Sequence, residues 1–206
     1  MSDCKTLDYQ YSDAEAPHTH RYLWEPVIKL LGNPAGARIF DLGCGNGAFV
    51  RVLKQLGFGV IGVDPSVEGI LRAKEANPSI GVEVGNAYDP LAGRYGTFPF
   101  LVALEVVEHV YYPRKFAKSV ADLLAPGGVA IISTPYHSYL KNLALALSGH
   151  MGSHFTALWD HGHIKFWSVD TLTRLFEEQG LIREEVKRVG RFPLLAKSMI
   201  LTFRKP

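Results

Sequence analysis

The stretch Ala37-Arg-Ile-Phe-Asp-Leu-Gly-Cys-Gly-Asn-Gly-Ala-Phe-Val50 decides the fold of this chain. Its short apolar run, Ile39-Phe40, predicts a buried strand that Asp41 ends, and glycines follow at alternate positions before a helical pattern begins at Ala48. Glycines permit backbone angles that other residues avoid, and they remove Cβ atoms that would keep a ligand away from the main chain. A strand, a glycine turn and a helix N-terminus together form a corner that binds nucleotides.

Two classes of cofactor use such a corner. The dinucleotide fingerprint Gly-x-Gly-x-x-Gly/Ala is met formally by Gly43, Gly45 and Ala48. The alternative pattern, acidic-x-Gly-x-Gly-x-Gly, is met by Asp41 together with Gly43, Gly45 and Gly47. This second pattern resembles motif I of the class I S-adenosylmethionine (SAM)-dependent methyltransferases. It also suits SAM chemically, because the acidic residue complements the ammonium and the sulfonium while loop N–H groups complement the carboxylate.

Length and composition indicate one globular domain. The chain has 206 residues, and a hydrophobic fraction of 47% is ordinary for a protein with a sizeable core. A net charge of +2 without a dense Lys/Arg run gives no support to a nucleic-acid partner. The cysteines are Cys4, in a polar segment, and Cys44, inside the glycine loop, so we expect no disulfide framework.

The ends and the apolar runs of the chain indicate a cytoplasmic protein. The stretch Met1 to Gln10 is polar, which argues against a signal peptide. The longest apolar run, at residues 98–107, is too short to span a bilayer and contains Glu105. We therefore expect no membrane span, and the sequence carries no signal of oligomeric state.

Helical and strand patterns alternate along the chain. We predict helices at residues 21–31, 47–56, 68–77, 113–124 and 168–176, and strands at 39–40, 58–63, 79–84, 99–104, 129–134, 181–189 and 194–203, the last antiparallel. Such alternation predicts a Rossmann-like, doubly wound, mostly parallel α/β sheet of seven strands with helices on both faces. The expected divisions of this single domain are an N-terminal flap and helix (1–34), a SAM-binding core (35–134), a cap inserted after the fifth strand (135–167) and a closing segment (168–206).

Polar residues follow the second and third strands. Asp64, in Asp64-Pro65-Ser66, lies about 20 residues after the glycine loop, where an acidic side chain accepts both hydrogens of a ribose diol. After the third strand, methyltransferases usually carry an Asp-Ala pair against the adenine, and here the pair is Asn86-Ala87. An Asn oxygen can accept from the adenine amino group, with Asp89 as a competing candidate. The other interpretation of this stretch is a surface turn.

Residues 135–167 form the one long segment without periodicity. A connection of this length usually carries function or disorder, and disordered tracts contain few aromatic residues. This segment is rich in aromatic and histidine residues, so we predict a substrate cap with its own helix near residues 140–147. Residues 1–20 are polar and are interpreted either as a frayed tail or as a flap over the site.

Six of the eight histidines lie between His109 and His163. SAM brings the reactive methyl group, so the protein supplies positioning and, for an oxygen acceptor, a base. His109 directly follows the fourth strand and is the favoured base, with His163 second. Glu105, Glu108 and His109 form Glu-x-x-Glu-His and, with His163, could instead hold a divalent metal ion, an arrangement that we do not favour. In the other interpretation Glu105 faces the cofactor and Glu108 faces solvent.

The motifs together resemble those of the ubiquinone-biosynthesis O-methyltransferase branch of the class I SAM-dependent methyltransferases. They are Asp41-Leu-Gly-Cys-Gly-Asn-Gly, Gly62-Val-Asp-Pro-Ser66, Glu105-Val-Val-Glu-His109-Val, Leu124-Ala-Pro-Gly-Gly128 and His163-Ile-Lys-Phe-Trp-Ser168. The resemblance covers residues 35–189 and implies O-methylation of a small, phenolic or hydroxyl acceptor. The residues that we assign to SAM are Asp41, Gly43, Gly45, Asp64, Pro65, Asn86, Ala87 and Glu105.

Other functions remain open at this point. The Glu-x-x-Glu-His pattern is also similar to that of the small-RNA 3′-end 2′-O-methyltransferases, where it binds metal, but this chain lacks the extra domains and the basic surface expected of an RNA enzyme. A nicotinamide-dependent oxidoreductase needs a hydride-transfer constellation, and no Tyr-x-x-x-Lys lies in the expected place. A non-catalytic nucleotide-binding module is the third possibility.

Overall fold

The structure, a computed structural model, describes residues 21–33, 36–155, 158–159, 162–192 and 195–206. The predicted flap at 1–20 lies outside these residues, as does His161 of the cap.

One sheet of seven strands, in the order β3-β2-β1-β4-β5-β7-β6, organises the described chain. The strands are β1 (Arg38–Leu42), β2 (Gly59–Asp64), β3 (Val82–Val84), β4 (Phe98–Leu104), β5 (Leu124–Pro135), β6 (Ile182–Val189) and β7 (Ser198–Arg204). Neighbours from β3 to β5 pair in parallel, and β7 is antiparallel to both β5 and β6. The doubly wound sheet and its antiparallel last strand are as predicted.

The helices cover both faces of this sheet. They are α1 (Arg21–Leu31), α2 (Ala48–Gln55), α3 (Val67–Ala76), α4 (Leu91–Tyr95), α5 (Pro113–Leu123), α6 (Tyr139–Leu147), α7 (Met151–Phe155) and α8 (Val169–Glu177). Alternate residues of a strand point to opposite faces. Accordingly Ile39 joins a core with α1, α2 and α3, whereas Phe40 joins the core beneath α4, α5 and α8.

Local signals place the helix ends close to where the sequence predicts them. The Ser66 and Ser168 hydroxyls cap α3 and α8, and Thr171 completes a capping box with Ser168. The short helices α4 and α7 were not predicted, because five residues are too few to show a period. Strand β5 begins at Leu124 rather than at residue 129, since Leu124 pairs with Phe98 across a register shift.

The topology brings the predicted site together at one edge. The carboxyl ends of β1, β2, β4 and β5 meet there, so the loops that follow them lie side by side. Four segments leave this edge: the glycine loop, Asp64-Pro65-Ser66, the turn at residues 105–110 and the cap.

Candidate active site

The glycine loop has left-handed backbone at all three of its alternate glycines. The φ angles are 88° at Gly43, 55° at Gly45 and 69° at Gly47. A Cβ on Gly43 would lie 2.4 Å from Val106 Cγ2, and one on Gly47 would lie 2.9 Å from Ile80 Cδ1. At these two positions the missing side chain admits the neighbouring segments of the protein itself, in addition to allowing the turn.

Asp64 braces the glycine loop against the end of β2. One carboxylate oxygen accepts from Gly45 N at 2.8 Å, and the other accepts from Ser66 N at 2.8 Å. The side chain is buried at the end of β2. The predicted ribose acceptor therefore also holds the loop that would surround the ligand.

Asp41 is a buried carboxyl group near the end of β1, which includes it and continues to Leu42 rather than ending at Asp41 as predicted. Burial, assisted by the charge of Asp64, raises the pKa of Asp41 to about 8. None of the described ion pairs supplies it with a cation. A ligand that brings its own positive charge would favour the ionised form, so this corner fits the cationic methyl donor that the sequence predicts.

The predicted adenine loop is a tight turn. The Asn86 side-chain oxygen accepts from Tyr88 N at 3.0 Å, and Asp89 Oδ2 accepts from Asn86 N at 2.7 Å. Asn86 is exposed, and Ala87 packs against the core beneath α4 and α5. Both interpretations of Asn86-Ala87 are compatible with this geometry, because the amide oxygen keeps a second lone pair.

Glu105 turns away from the other members of its motif. Its carboxylate accepts from Ser133 Oγ at 2.8 Å and from Ser198 Oγ at 3.2 Å, and the Tyr22 hydroxyl reaches Ser198 Oγ at 2.6 Å. Its φ of 56° is the one positive value recorded at a non-glycine residue of the described chain. Burial raises the pKa of Glu105 despite these hydrogen bonds. Contrary to the four-residue arrangement considered from the sequence, Glu105 does not belong to the candidate metal cluster.

Glu108, His109 and His163 lie together. One ligand atom from each side chain lies within 4.8 Å of those of the other two, and the two imidazole ring centres are 4.9 Å apart. The cap is held here by its backbone, since Ile164 N and Lys165 N both donate to the Glu108 carbonyl oxygen at 3.0 Å. The structure therefore unites the two predicted catalytic histidines, although they are far apart in sequence.

The Glu108 carboxyl group is buried, and neither of its oxygens has a hydrogen-bond partner among the described residues. Burial and the charge of Glu105 raise the pKa of Glu108, and the nearby Thr134 hydroxyl opposes this shift without reaching hydrogen-bond geometry. The interpretation that Glu108 faces solvent is therefore wrong. A divalent cation on Glu108, His109 and His163 would engage these oxygens, so the residues fit such an ion.

The cap encloses a cavity of about 410 Å³. Its lining combines aromatic rings with histidines and one lysine: Pro135, His137, Lys141, His154, Phe155, Trp159, His163 and Phe166. Phe155 and Phe166 pack edge to face with their ring centres 4.7 Å apart. The predicted cap helix is α6, and α7 adds a second short helix that carries His154 and Phe155.

The histidines of this cavity are largely uncharged at neutral pH. Burial, with help from neighbouring positive groups, lowers the pKa of His137 and of His163 to about 4. The pKa of His154 is also lowered, chiefly by burial. The cavity is therefore an apolar, aromatic site with neutral imidazoles at its wall.

Four site residues were missed by sequence reasoning. Val106 fills the space beside Gly43, Ser133 and Ser198 hold Glu105, and Lys141 lines the cap cavity. The two serines come from strands β5 and β7, which no local pattern connects to Glu105. Lys141 had a usable signal, because it is one of only two lysines in the segment that was predicted to be an aromatic cap.

Comparisons with known proteins show the family of this chain. A family model described as a methyltransferase domain matches residues 16–185. The chain belongs to this family. The methyltransferase domain has the Rossmann-like fold of the class I SAM-dependent enzymes, and SAM is the cofactor of these proteins.

Curated relatives are bacterial enzymes. The methyltransferase domain is 41% identical over 118 residues to a ubiquinone biosynthesis O-methyltransferase of a Caulobacter species, which covers 55% of this chain and 46% of the relative. It is 32% identical over 180 residues to the protein of the same name from Bradyrhizobium diazoefficiens, which covers 84% of this chain and 70% of the relative. The chain thus spans about half the length of the first of these relatives.

Solved structures share the fold. A SAM-dependent methyltransferase from Mesorhizobium loti has a TM-score of 0.69 at 20% identity, and the superposition covers 88% of this chain and 97% of the Mesorhizobium chain. Magnesium protoporphyrin IX methyltransferase from Synechocystis, solved with bound S-adenosylhomocysteine, has a TM-score of 0.69 at 17% identity, with 89% and 82% covered. At these identities the likeness concerns the fold alone. In the part of the chain that the structure describes, every helix is too short or too polar to cross a membrane.

Proposed function

We propose that this methyltransferase domain transfers a methyl group from SAM to an oxygen of a small phenolic or hydroxyl acceptor bound under the cap. The observation that carries the proposal is the position of the turn at residues 105–110. Its Val106 packs on Gly43 of the glycine loop, and its His109 lies against His163 at the wall of the cap cavity. One short segment therefore connects a cation-compatible cofactor corner with an aromatic cavity and its imidazoles.

Asp41, the glycine loop and Asp64 form the proposed cofactor corner. Asp41 would complement the positive charge of SAM, Asp64 would accept from the ribose, and Asn86-Ala87 with Pro65 would border the adenine. When bound, SAM would supply an activated methyl carbon, which an acceptor oxygen attacks in line while S-adenosylhomocysteine leaves. Calorimetry with SAM, with S-adenosylhomocysteine and with NAD tests this corner: we expect heat from the first two only, and heat from NAD alone would replace the proposal by an oxidoreductase.

His109 is the proposed base for the acceptor hydroxyl. His163 is the poorer candidate, because an imidazole whose pKa is about 4 holds a proton weakly at neutral pH. The role of His163 is to pack against His109 and orient it. The Glu108 carboxyl group, when ionised, would stabilise the imidazolium that His109 forms on taking the proton.

Replacement of His109 by Ala tests this assignment. We expect turnover with a catechol to fall about 100-fold or more, since general bases contribute on the order of 10² to 10⁴ in rate. The dissociation constant of SAM, measured by calorimetry, should change less than about threefold. Normal turnover in His109→Ala would remove the assignment, and His150→Ala, on an exposed cap residue, is the matched control.

A metal-assisted version of the same reaction is favoured by one observation, the unpartnered oxygens of buried Glu108 beside two imidazoles. A cation held there would bind acceptor oxygens and lower a hydroxyl pKa. A ring nitrogen of His109 that binds the metal ion cannot also accept the acceptor's proton, so His109 would serve either as base or as metal ligand through that atom. Dialysis against EDTA should leave turnover intact if His109 is the base, whereas loss of turnover and its recovery with Mn²⁺ or Mg²⁺ would favour the metal.

The remaining functions find less support. An RNA acceptor would require strongly salt-dependent RNA binding, for which a net charge of +2 gives little basis. A non-catalytic module would bind SAM without turnover of any acceptor. The cytoplasmic location expected from the sequence is part of this proposal.

A further inference from the structure

Among the described residues that line the cap cavity, Lys141 is the one cationic side chain. Lys141 is the third residue of α6 and is half-buried. Its amine reaches the Tyr136 carbonyl oxygen only at 3.4 Å. That distance is at the long limit of a hydrogen bond and leaves most of the donor capacity unused. A desolvated ammonium in an aromatic cavity is costly unless an anion meets it.

The described surroundings of Lys141 add positive charge, and none of the described residues neutralises it. Burial, followed by the charge of Arg191, lowers the pKa of Lys141. None of the ion pairs in the described chain includes Lys141 or Arg191, and no described carboxylate lines the cavity. Two histidines of the lining, His137 and His154, have lowered pKa values, so they do not compete for an anion at neutral pH.

The apolar part of the cavity limits what the anion can be attached to. Phe155, Phe166 and Trp159 present ring faces and edges, which suit a flat ring. His163 belongs both to this lining and to the pair with His109, so the cavity extends to the proposed base. An acceptor in the cavity therefore has an imidazole at one part of its wall and an ammonium at another.

We propose that the acceptor is an aromatic acid, whose ring packs among Phe155, Trp159 and Phe166 and whose acidic group pairs with Lys141. The proposal rests on the O-methyltransferase function proposed above and names its substrate class. The acidic group selects the acceptor and leaves the hydroxyl for the histidine pair. Arg191 adds long-range attraction without lining the cavity.

The test compares 3,4-dihydroxybenzoate with its methyl ester, which lacks the negative charge and carries one additional methyl group. Each is titrated by calorimetry into the full chain saturated with S-adenosylhomocysteine. We expect the acid to bind at least about tenfold more tightly than the ester, since hydrogen bonds to charged groups contribute more than neutral ones. Lys141→Gln should bring the two affinities within about threefold, and Lys141→Arg should keep the preference. Lys118→Gln, at an exposed position of α5, should not change it.

Equal binding of acid and ester by the wild-type chain would overturn the substrate class. So would an undiminished preference in Lys141→Gln. These failures differ from failure of the proposed function, because S-adenosylhomocysteine would still give heat in the first titration. A chain that does not respond to S-adenosylhomocysteine would overturn both proposals together.

Discussion

Asp64 uses each of its carboxylate oxygens on a different backbone N–H, Gly45 N on one side and Ser66 N on the other. A carboxylate accepts with both oxygens, whereas an amide of the same shape turns one acceptor into a donor. This residue therefore combines two tasks, bracing the loop and, in our proposal, binding the ribose.

Replacement of Asp64 by Asn should impair both tasks. One buried N–H would lose its acceptor and face an NH₂ group, at a cost of about 1–3 kcal/mol in the free energy of unfolding. We expect the dissociation constant of SAM, measured by calorimetry, to rise about tenfold or more. Asp122→Asn removes an exposed ion pair with Lys118 and serves as control, with a change near zero. A destabilised variant that keeps its SAM affinity would restrict Asp64 to the bracing role.

At the scale of elements, the glycine loop and the turn at residues 105–110 are built as one unit. Gly43 has a φ of 88°, and its missing Cβ leaves the space that Val106 occupies. The backbone N–H groups of Ile164 and Lys165, in the cap, both donate hydrogen bonds to the Glu108 carbonyl oxygen of this turn. The glycine loop, the turn at residues 105–110 and the cap are thus in direct contact with one another.

Replacement of Gly43 by Ala should reveal this coupling. The Cβ would lie 2.4 Å from Val106 Cγ2 and the backbone angle would be strained, so we expect urea denaturation to show a loss of about 1–3 kcal/mol. In a Val106→Ala background the loss should be smaller, because only the backbone strain remains.

Gly93 is the matched control for this cycle. It lies in α4 with no atom within 4 Å of an added Cβ, so Gly93→Ala should be neutral or slightly stabilising. Equal losses for Gly43→Ala in both backgrounds would show that Val106 does not limit the space at residue 43.

At the scale of the whole molecule, buried carboxyl groups give the protein an unusual dependence on pH. The pKa of Asp41 is raised to about 8, so the folded chain holds this proton at pH values where the unfolded chain has released it. Stability from this group is full at low pH and is lost as pH rises through about 8. His137 acts in the opposite sense, because burial lowers its pKa to about 4. The free energy of unfolding that depends on this group therefore rises as pH increases from about 4 to its ordinary pKa of 6.5.

Of these two groups, only Asp41 titrates above pH 6.5. We therefore expect the free energy of unfolding to fall between pH 6.5 and 8, with a slope from Asp41 that approaches about 1.4 kcal/mol per pH unit. Urea denaturation at half-unit steps measures it. Glu105 and Glu108, whose pKa values are also raised, contribute in the same sense, so Asp41→Asn should reduce the slope without abolishing it. Asp122→Asn should leave the slope unchanged. Stability of the wild-type chain that rises over this range would contradict the raised pKa of Asp41.

Much of the architecture could be read from the chain, since its signals are local. Helix α1 was predicted with its observed bounds, and the caps of α3 and α8 follow from Ser66 and Ser168. The glycine corner, the parallel core and the cap after the fifth strand also came from periodicity, from turn residues and from the absence of a period. Each of these signals acts within a few residues of itself, so one sequence suffices to show it.

The arrangement inside the site was decided only by tertiary structure. Glu105 and Glu108 share a motif, yet Glu105 turns to Ser133 and Ser198, 28 and 93 residues away, while Glu108 turns to the histidines. Lys141 meets aromatic rings from other parts of the cap for the same reason. Which of two neighbouring side chains faces which partner depends on strands that packing brings together, and no local pattern along the chain carries that information.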